Sequence, residues 1–281
     1  MDILTIDGAE LAYDRHGPAA APAILLIAGG GQSMDWWTPE FCELIGNGER
    51  QVIRYDHRDT GRSSTSPPGS PDYTGEDLAA DPLRLLDALG IERADLIGMS
   101  MGGGIAQHIA VHAPERVRTL TLVETSPAGG DYELPPPTPA VAATWEEPTP
   151  EIDWSDPEAV IDYRVDVERP YAGSLGLDED RVRALATLEV ARTRNMASSM
   201  GNHFIAESQT NADPADIRVP TLVVHSAADP MFPLEHGETL ARVIPGARLL
   251  RLDGVGHEIP PPAVWDVFVP TLLEHLRPSA R

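Results

Sequence analysis

The segment Gly98-Met99-Ser100-Met101-Gly102 constrains the fold of this 281-residue chain more than any other. It follows an apolar run, Ala94-Asp95-Leu96-Ile97, and opens a helical pattern, Gly103-Gly104-Ile105-Ala106-Gln107-His108-Ile109-Ala110. A G-x-S-x-G between strand and helix is a turn so tight that only glycine fits beside the serine, whose hydroxyl then stands clear of the sheet edge. The pentapeptide alone would arise by chance in roughly one such chain in ten, so the surrounding pattern has to carry the argument.

That pattern is an alternation of strands and helices. Leu4 to Ile6 and Leu11 to Tyr13 flank Asp7-Gly8 and read as an opening β-hairpin. Ala23-Ile24-Leu25-Leu26-Ile27 is apolar without alternation, as expected of a strand covered on both faces, and ends in Ala28-Gly29-Gly30-Gly31. Gln51 to Tyr55 is a further strand. Leu83 to Leu89 is helical and stops at Gly90. The strands at 119–123, 219–225 and 247–252 follow, and Ala263 to Leu276 closes the chain as a helix. Such alternation means an α/β fold with a mainly parallel, doubly wound sheet. Near Pro127 the texture changes: residues 135–150 are rich in proline, and amphipathic helical segments appear around 157–168 and 179–200. The expected organisation is a core of residues 1–127 and 214–281, with residues 128–213 inserted as a helical lid.

Composition narrows the classes of function. The net charge of −23 argues against nucleic acid or an anionic membrane as partner. No apolar run approaches the ~20 residues needed to cross a bilayer, and the start of the chain lacks the pattern of a signal peptide. The single Cys42 suits a reducing cytoplasm and reads as a small core residue. The chain has no lysine, which rules out a Schiff-base lysine. No pair of residues has metal-ligand spacing with carboxylates placed to finish a site, so no metal is expected.

A serine hydroxyl becomes nucleophilic only when a neighbouring base takes its proton. Asp229 lies just past the strand at 219–225 and His257 just past the strand at 247–252. Both therefore sit at C-terminal strand ends, the edge where open α/β sheets build their sites. Ser100, Asp229 and His257 follow the chain order Ser…Asp…His, with His257 as general base and Asp229 fixing its tautomer. Glu124, at the end of the preceding strand, is the rival acid. The oxyanion formed on attack needs two backbone N–H donors: Met101, at the positive helix end, and Gly30 in the glycine run. The charged stretch from Tyr55 to Ser63 reads as a hydrogen-bonded loop supporting the glycine turn. His16, His236 and His275 are expected to be solvated, while His203 is placed in the lid. Trp145, Trp154, Tyr163, Tyr171, Met196, Met200 and Phe204 read as lid core, with one face available as an apolar wall for bulky or flat substrates.

These motifs resemble the α/β-hydrolase superfamily over nearly the whole chain apart from the lid. Val52-Ile53-Arg54-Tyr55-Asp56-His57-Arg58-Asp59-Thr60-Gly61-Arg62-Ser63, the glycine-rich turn and Val219-Pro220-Thr221-Leu222-Val223-Val224 are similar to the aclacinomycin methyl esterase group. The resemblance implies a cytoplasmic, cofactor-free serine hydrolase cleaving an ester of a small polyketide-like molecule, as a monomer or homodimer. It carries the nucleophile onto Ser100, the acid onto Asp229, the base onto His257 and the oxyanion donors onto Gly30 and Met101. The competing readings are a lactone or C–C bond hydrolase with the same triad, a cofactor-free perhydrolase or lyase, and a ligand-binding protein with a vestigial triad.

Overall fold

A computed structural model describes residues 1–146, 150–207 and 211–277. Its sheet has eight strands: β1 (Asp2–Ile6), β2 (Ala9–His16), β3 (Ala23–Ile27), β4 (Gln51–Tyr55), β5 (Ala94–Met99), β6 (Val117–Val123), β7 (Thr221–Ser226) and β8 (Arg248–Leu252). They lie in the order β1-β2-β4-β3-β5-β6-β7-β8. The first two pair antiparallel, and β4 through β8 run parallel about β3 and β5. The hairpin between β1 and β2 turns at Asp7 and Gly8, both with positive φ (50° and 85°), as a tight two-residue turn demands.

Alternate residues of each inner strand feed opposite cores, because side chains on a strand alternate in direction. Leu25, Ile27, Leu96, Leu120 and Val223 face helices α2 (Gly75–Ala88), α3 (Met101–His112) and α8 (Glu235–Val243). Ile24, Leu26, Ile97, Leu222 and Val224 face α1 (Pro39–Gly46) and α9 (Trp265–His275), through Phe41, Ile45, Phe268 and Leu272. Each such buried side chain stabilises the fold by about 1.5–3 kcal/mol, which is why these runs carry no polar alternation. Cys42 belongs to the second core, where burial pushes its thiol up to about 12.

Helix α2 starts well before Leu83. Thr74 caps it, accepting from the Asp77 amide while the Asp77 side chain returns to the Thr74 amide. Pro82 sits inside it. A mid-helix proline costs about 3 kcal/mol, and the burial of Leu78, Ala79, Leu85 and Leu86 offsets it.

Between β6 and β7 the chain contributes helices: α4 (Pro139–Glu146), α5 (Pro157–Glu168), α6 (Glu179–Arg192) and α7 (Met196–Gly201). The proline-rich stretch thus holds a helix, apart from Glu147, Pro148 and Thr149, which lie outside the described residues. The expected helix over 179–200 is two helices. Thr193 turns extended, and the Asn195 side chain accepts from the Ser198 amide to cap α7.

Candidate active site

The turn from β5 into α3 sets the position of Ser100. Its backbone has φ 52° and ψ −119°, a conformation that costs a non-glycine residue about 1–3 kcal/mol and persists only where surroundings enforce it. Here they do. The Ser100 amide donates to the Val123 carbonyl (3.0 Å), and its carbonyl accepts from the Gly103 amide (2.9 Å) and the Thr125 hydroxyl (2.8 Å). A Cβ on Gly98 would lie 2.2 Å from the Gly102 carbonyl oxygen, and one on Gly102 would lie 2.3 Å from that of Ile27. Both glycines are therefore required by the approach of one backbone to another.

Asp229 follows β7 and His257 follows β8, and the loops bring both side chains to the serine. The His257 Nδ1–H donates to Asp229 Oδ2 (2.9 Å), and its Nε2 lies 3.0 Å from Ser100 Oγ. An ionised carboxylate offers no proton, so Nδ1 must carry the hydrogen and Nε2 presents its lone pair to the hydroxyl. The other Asp229 oxygen accepts from the amides of Met231 (2.8 Å) and Phe232 (3.0 Å). Burial opposes the charge on Asp229, but His257 and these donors outweigh it and hold the carboxyl below its usual range. The His257 amide is anchored on the Tyr171 carbonyl (2.8 Å), and Phe232 meets the imidazole edge-on at 5.2 Å. Nothing in the chain order singles out Phe232, which acts through the fold.

The glycine turn lies beside the elbow. A Cβ on Gly30 would sit 3.7 Å from Met101 Sδ and 3.1 Å from the ring of Phe204. Among the described residues, no protein acceptor meets the amide of Gly30 or of Met101. Their neighbours are occupied. Gly29 donates to Gln32 Oε1 (3.2 Å) and Gly31 to His203 Nδ1 (3.0 Å), while His57 Nε2–H holds the Ala28 carbonyl (3.1 Å). The loop after β4 therefore supports the turn as its composition suggests, and His203 joins it from the insert. Ser33 is tied in the same way to Glu189 of α6 (2.8 Å).

Burial pushes the His57 imidazole down to about 3, helped by neighbouring His203, whose own value is lowered by burial. Their effect on stability has a definite sign. Above pH ~6.5 neither fold nor unfolded chain binds these protons, and stability is full. As pH falls from there toward about 3, the unfolded chain takes up protons that the folded His57 refuses, and stability is lost. The unfolding free energy is expected to fall by about 1.4 kcal/mol per pH unit for each fully refusing histidine. Urea titrations between pH 7.5 and 5 should show a shallower fall for His57→Gln than for the wild type. Equal slopes would disprove the assignment.

The remaining candidates separate clearly. Glu124 is fully buried but does not reach His257; its Oε2 accepts from the Ser226 amide (3.1 Å). His236 is buried, not solvated, between Ser126 Oγ and the Pro135 carbonyl (2.9 Å each). His16 and His275 are partly covered, with partners Asp14 and the Leu120 carbonyl. Although no sequence spacing suggested a metal, Glu124, His225 and Asp229 offer ligand atoms within 4.8 Å of one another. Two of their atoms are already engaged, His225 Nε2–H donating to the Phe232 carbonyl (2.7 Å) and Asp229 Oδ2 serving His257, whereas Glu124 Oε1 and His225 Nδ1 have no hydrogen-bond partner among the described residues. Of the insert's aromatic residues, Trp145, Trp154 and Phe204 are exposed, Phe204 lying with one ring edge against Gly30, and Tyr171 lies beside His257. An apolar cavity of about 270 Å³ extends from Met101 along α3, lined by Gly104, Ile105, His108, Leu78 and Ala206 among others.

A family profile described as alpha/beta hydrolase fold matches residues 22–261. The chain belongs to the α/β-hydrolase family. Within it, this chain falls in the aclacinomycin methylesterase-like group. It is 33% identical to the rhodomycin D methylesterase DauP of Streptomyces sp. (strain C5), over 98% of this chain and 97% of that protein. The corresponding DnrP protein of Streptomyces peucetius is 32% identical with the same coverage. Among solved structures, the enol-lactonase from Burkholderia xenovorans LB400 is similar with a TM-score of 0.74 and 25% identity, over 98% of this chain and 99% of that one. As in other α/β-hydrolases, the candidate site occupies the C-terminal edge of the parallel strands.

Proposed function

We propose that this chain is a carboxylic ester hydrolase that acts through an acyl-Ser100 intermediate. The observation that carries the reading is the hydrogen-bonded series Asp229–His257–Ser100, at 2.9 and 3.0 Å, ending on a serine in a strained turn. In this reading Ser100 Oγ attacks the ester carbonyl while His257 Nε2 takes its proton. The amides of Gly30 and Met101 receive the oxyanion. Collapse expels the alcohol with the proton from His257, and a water deprotonated by His257 then releases the acid and restores Ser100. A fluorophosphonate label on Ser100, together with a burst of p-nitrophenol from a p-nitrophenyl ester, is the expected result. Neither signal at any pH would defeat the proposal.

The substrate we infer is a methyl ester of a bulky, flat, polyketide-like molecule. Supporting it are the two methylesterase relatives at 33% and 32% identity, and an apolar cavity that begins at Met101. Residues 128–213 would act as the lid over the core of residues 1–127 and 214–281, with Phe204 as the aromatic face nearest Gly30. The single buried Cys42, and the absence among the described residues of a helix able to cross a membrane, fit a cytoplasmic enzyme. Lactone opening is the second reading, favoured by the likeness to an enol-lactonase.

The cavity gives a direct test. Among the described residues no atom lies within 4 Å of a Cβ placed on Gly104, so Gly104→Leu would extend into the cavity without a backbone clash from them. Helix propensity should raise stability by up to ~1 kcal/mol. KM for a polycyclic methyl ester should rise at least about tenfold, equivalent to roughly 1.4 kcal/mol of lost binding, and p-nitrophenyl acetate should respond far less. An equal response of both substrates would argue that the cavity holds no part of the large one.

A further inference from the structure

Glu124 is a buried carboxyl that the reaction as described does not use. It follows β6 with φ 40°, in the left-handed region, and its amide donates to the Val224 carbonyl (3.0 Å). Its side chain is wholly buried, one oxygen accepting from the Ser226 amide (3.1 Å). The other oxygen has no hydrogen-bond partner among the described residues, a costly state for a buried polar atom. The groups facing this carboxyl are His225 on β7 (3.7 Å), Asp229 in the loop beyond it, and His257 behind Asp229, with Glu258 farther off. No arginine pairs with Glu124 among the described residues. His225 gives its Nε2–H to the Phe232 carbonyl, and burial keeps it neutral. Two adjacent buried carboxyls cannot both be ionised without a cation to share.

We propose that Glu124 is a neutral carboxylic acid whose O–H donates to Asp229, making it a positioning residue for the acid of the Ser100–His257–Asp229 series. The inference rests on the triad reading above. Asp229 has the stronger claim to the charge, since it already accepts two amide hydrogens and the His257 Nδ1–H. Burial, then the charge of Asp229, raises the Glu124 carboxyl well above its ordinary range, which favours Glu124 as the holder of the proton. Its O–H supplies a fourth donor to Asp229 and gives the buried acid a partner beyond the Ser226 amide. The added donor pins the Asp229 carboxylate plane toward the imidazole. It also tempers the basicity of Asp229, leaving the proton on Nδ1 when the imidazolium forms.

The test compares kcat and KM of wild type, Glu124→Gln, Glu124→Met and Asp229→Asn on a p-nitrophenyl ester from pH 5.5 to 9. Rates are expressed per fluorophosphonate-labelled site. Glutamine keeps a donor, and its kcat should stay within about threefold of wild type. Methionine removes the donor, and kcat should fall by about 10- to 100-fold with little change in KM, the range for a hydrogen bond to a charged group. Its acid limb should move to higher pH, because Asp229 relieved of one donor holds the imidazole proton more tightly. A packing defect would leave that limb in place. Should the methionine variant not fold, infrared difference spectra decide: the carbonyl stretch of a protonated carboxylic acid at neutral pH should be present in wild type and absent from Glu124→Gln. The inference is overturned by a missing band, by an unmoved acid limb with wild-type kcat in Glu124→Met, or by Glu124→Gln losing as much as methionine. An active Asp229→Asn would instead bring down the triad reading on which the inference stands.

Discussion

Ser100→Ala is expected to lower ester turnover by about 10⁴- to 10⁶-fold, the range seen when the nucleophile of a cooperating triad is removed. The fold should survive. The Ser100 hydroxyl makes no helix-cap hydrogen bond, and its partner is His257, so its loss exposes no buried donor of the scaffold. In the proposed mechanism, substrate binding and the two amides at Gly30 and Met101 would remain and would sustain a residual rate over water. Alanine inherits the strain of φ 52°, whereas Ser100→Gly relieves it and should raise stability by about 1 kcal/mol. Calorimetry and single-turnover kinetics on the two variants separate nucleophile from turn. If alanine stays within tenfold of the wild type, Ser100 is not the nucleophile.

Asp229→Asn should cost about 10⁴-fold in kcat with the chain still folded. An asparagine oxygen can keep the two amide hydrogens of Met231 and Phe232, so the loop survives. Its NH₂ then faces His257 Nδ1, where only an acceptor serves. The imidazole must place its proton on Nε2, the nitrogen 3.0 Å from the serine, and can no longer take one there. Glu124→Gln, in contrast, should stay within about threefold, since Glu124 meets the Ser226 amide and not the imidazole. Steady-state rates on both variants give the comparison. The reverse pattern would transfer the acid role to Glu124.

Much of the sheet could be read directly, and for one reason. Strands covered on both faces must be apolar throughout, as at Ala23–Ile27, and their ends are marked by glycine or by polar loops. The same logic placed Asp229 and His257 at strand ends. It failed where burial is conferred by distant chain. His236 looks like a surface residue of an amphipathic helix, but the segment at Ser126 and Pro135 covers it. Trp145 and Trp154 suggested a packed interior, but both are exposed. The break between α6 and α7 depends on one asparagine capping the second helix, a weak signal inside a continuous helical pattern. The cluster of Glu124, His225 and Asp229 spans two strand ends and has no sequence spacing at all.

Read alone, the residues determined the layered sheet, the elbow turn and the places of Asp229 and His257 just past strand ends, because periodicity and glycine placement act within a few residues. Only the folded chain decided which amides of the glycine turn stay free, which histidines remain neutral, and that a second carboxyl lies against Asp229. Those outcomes depend on burial and on hydrogen bonds between segments far apart in sequence, and no local pattern encodes how much water such a meeting excludes.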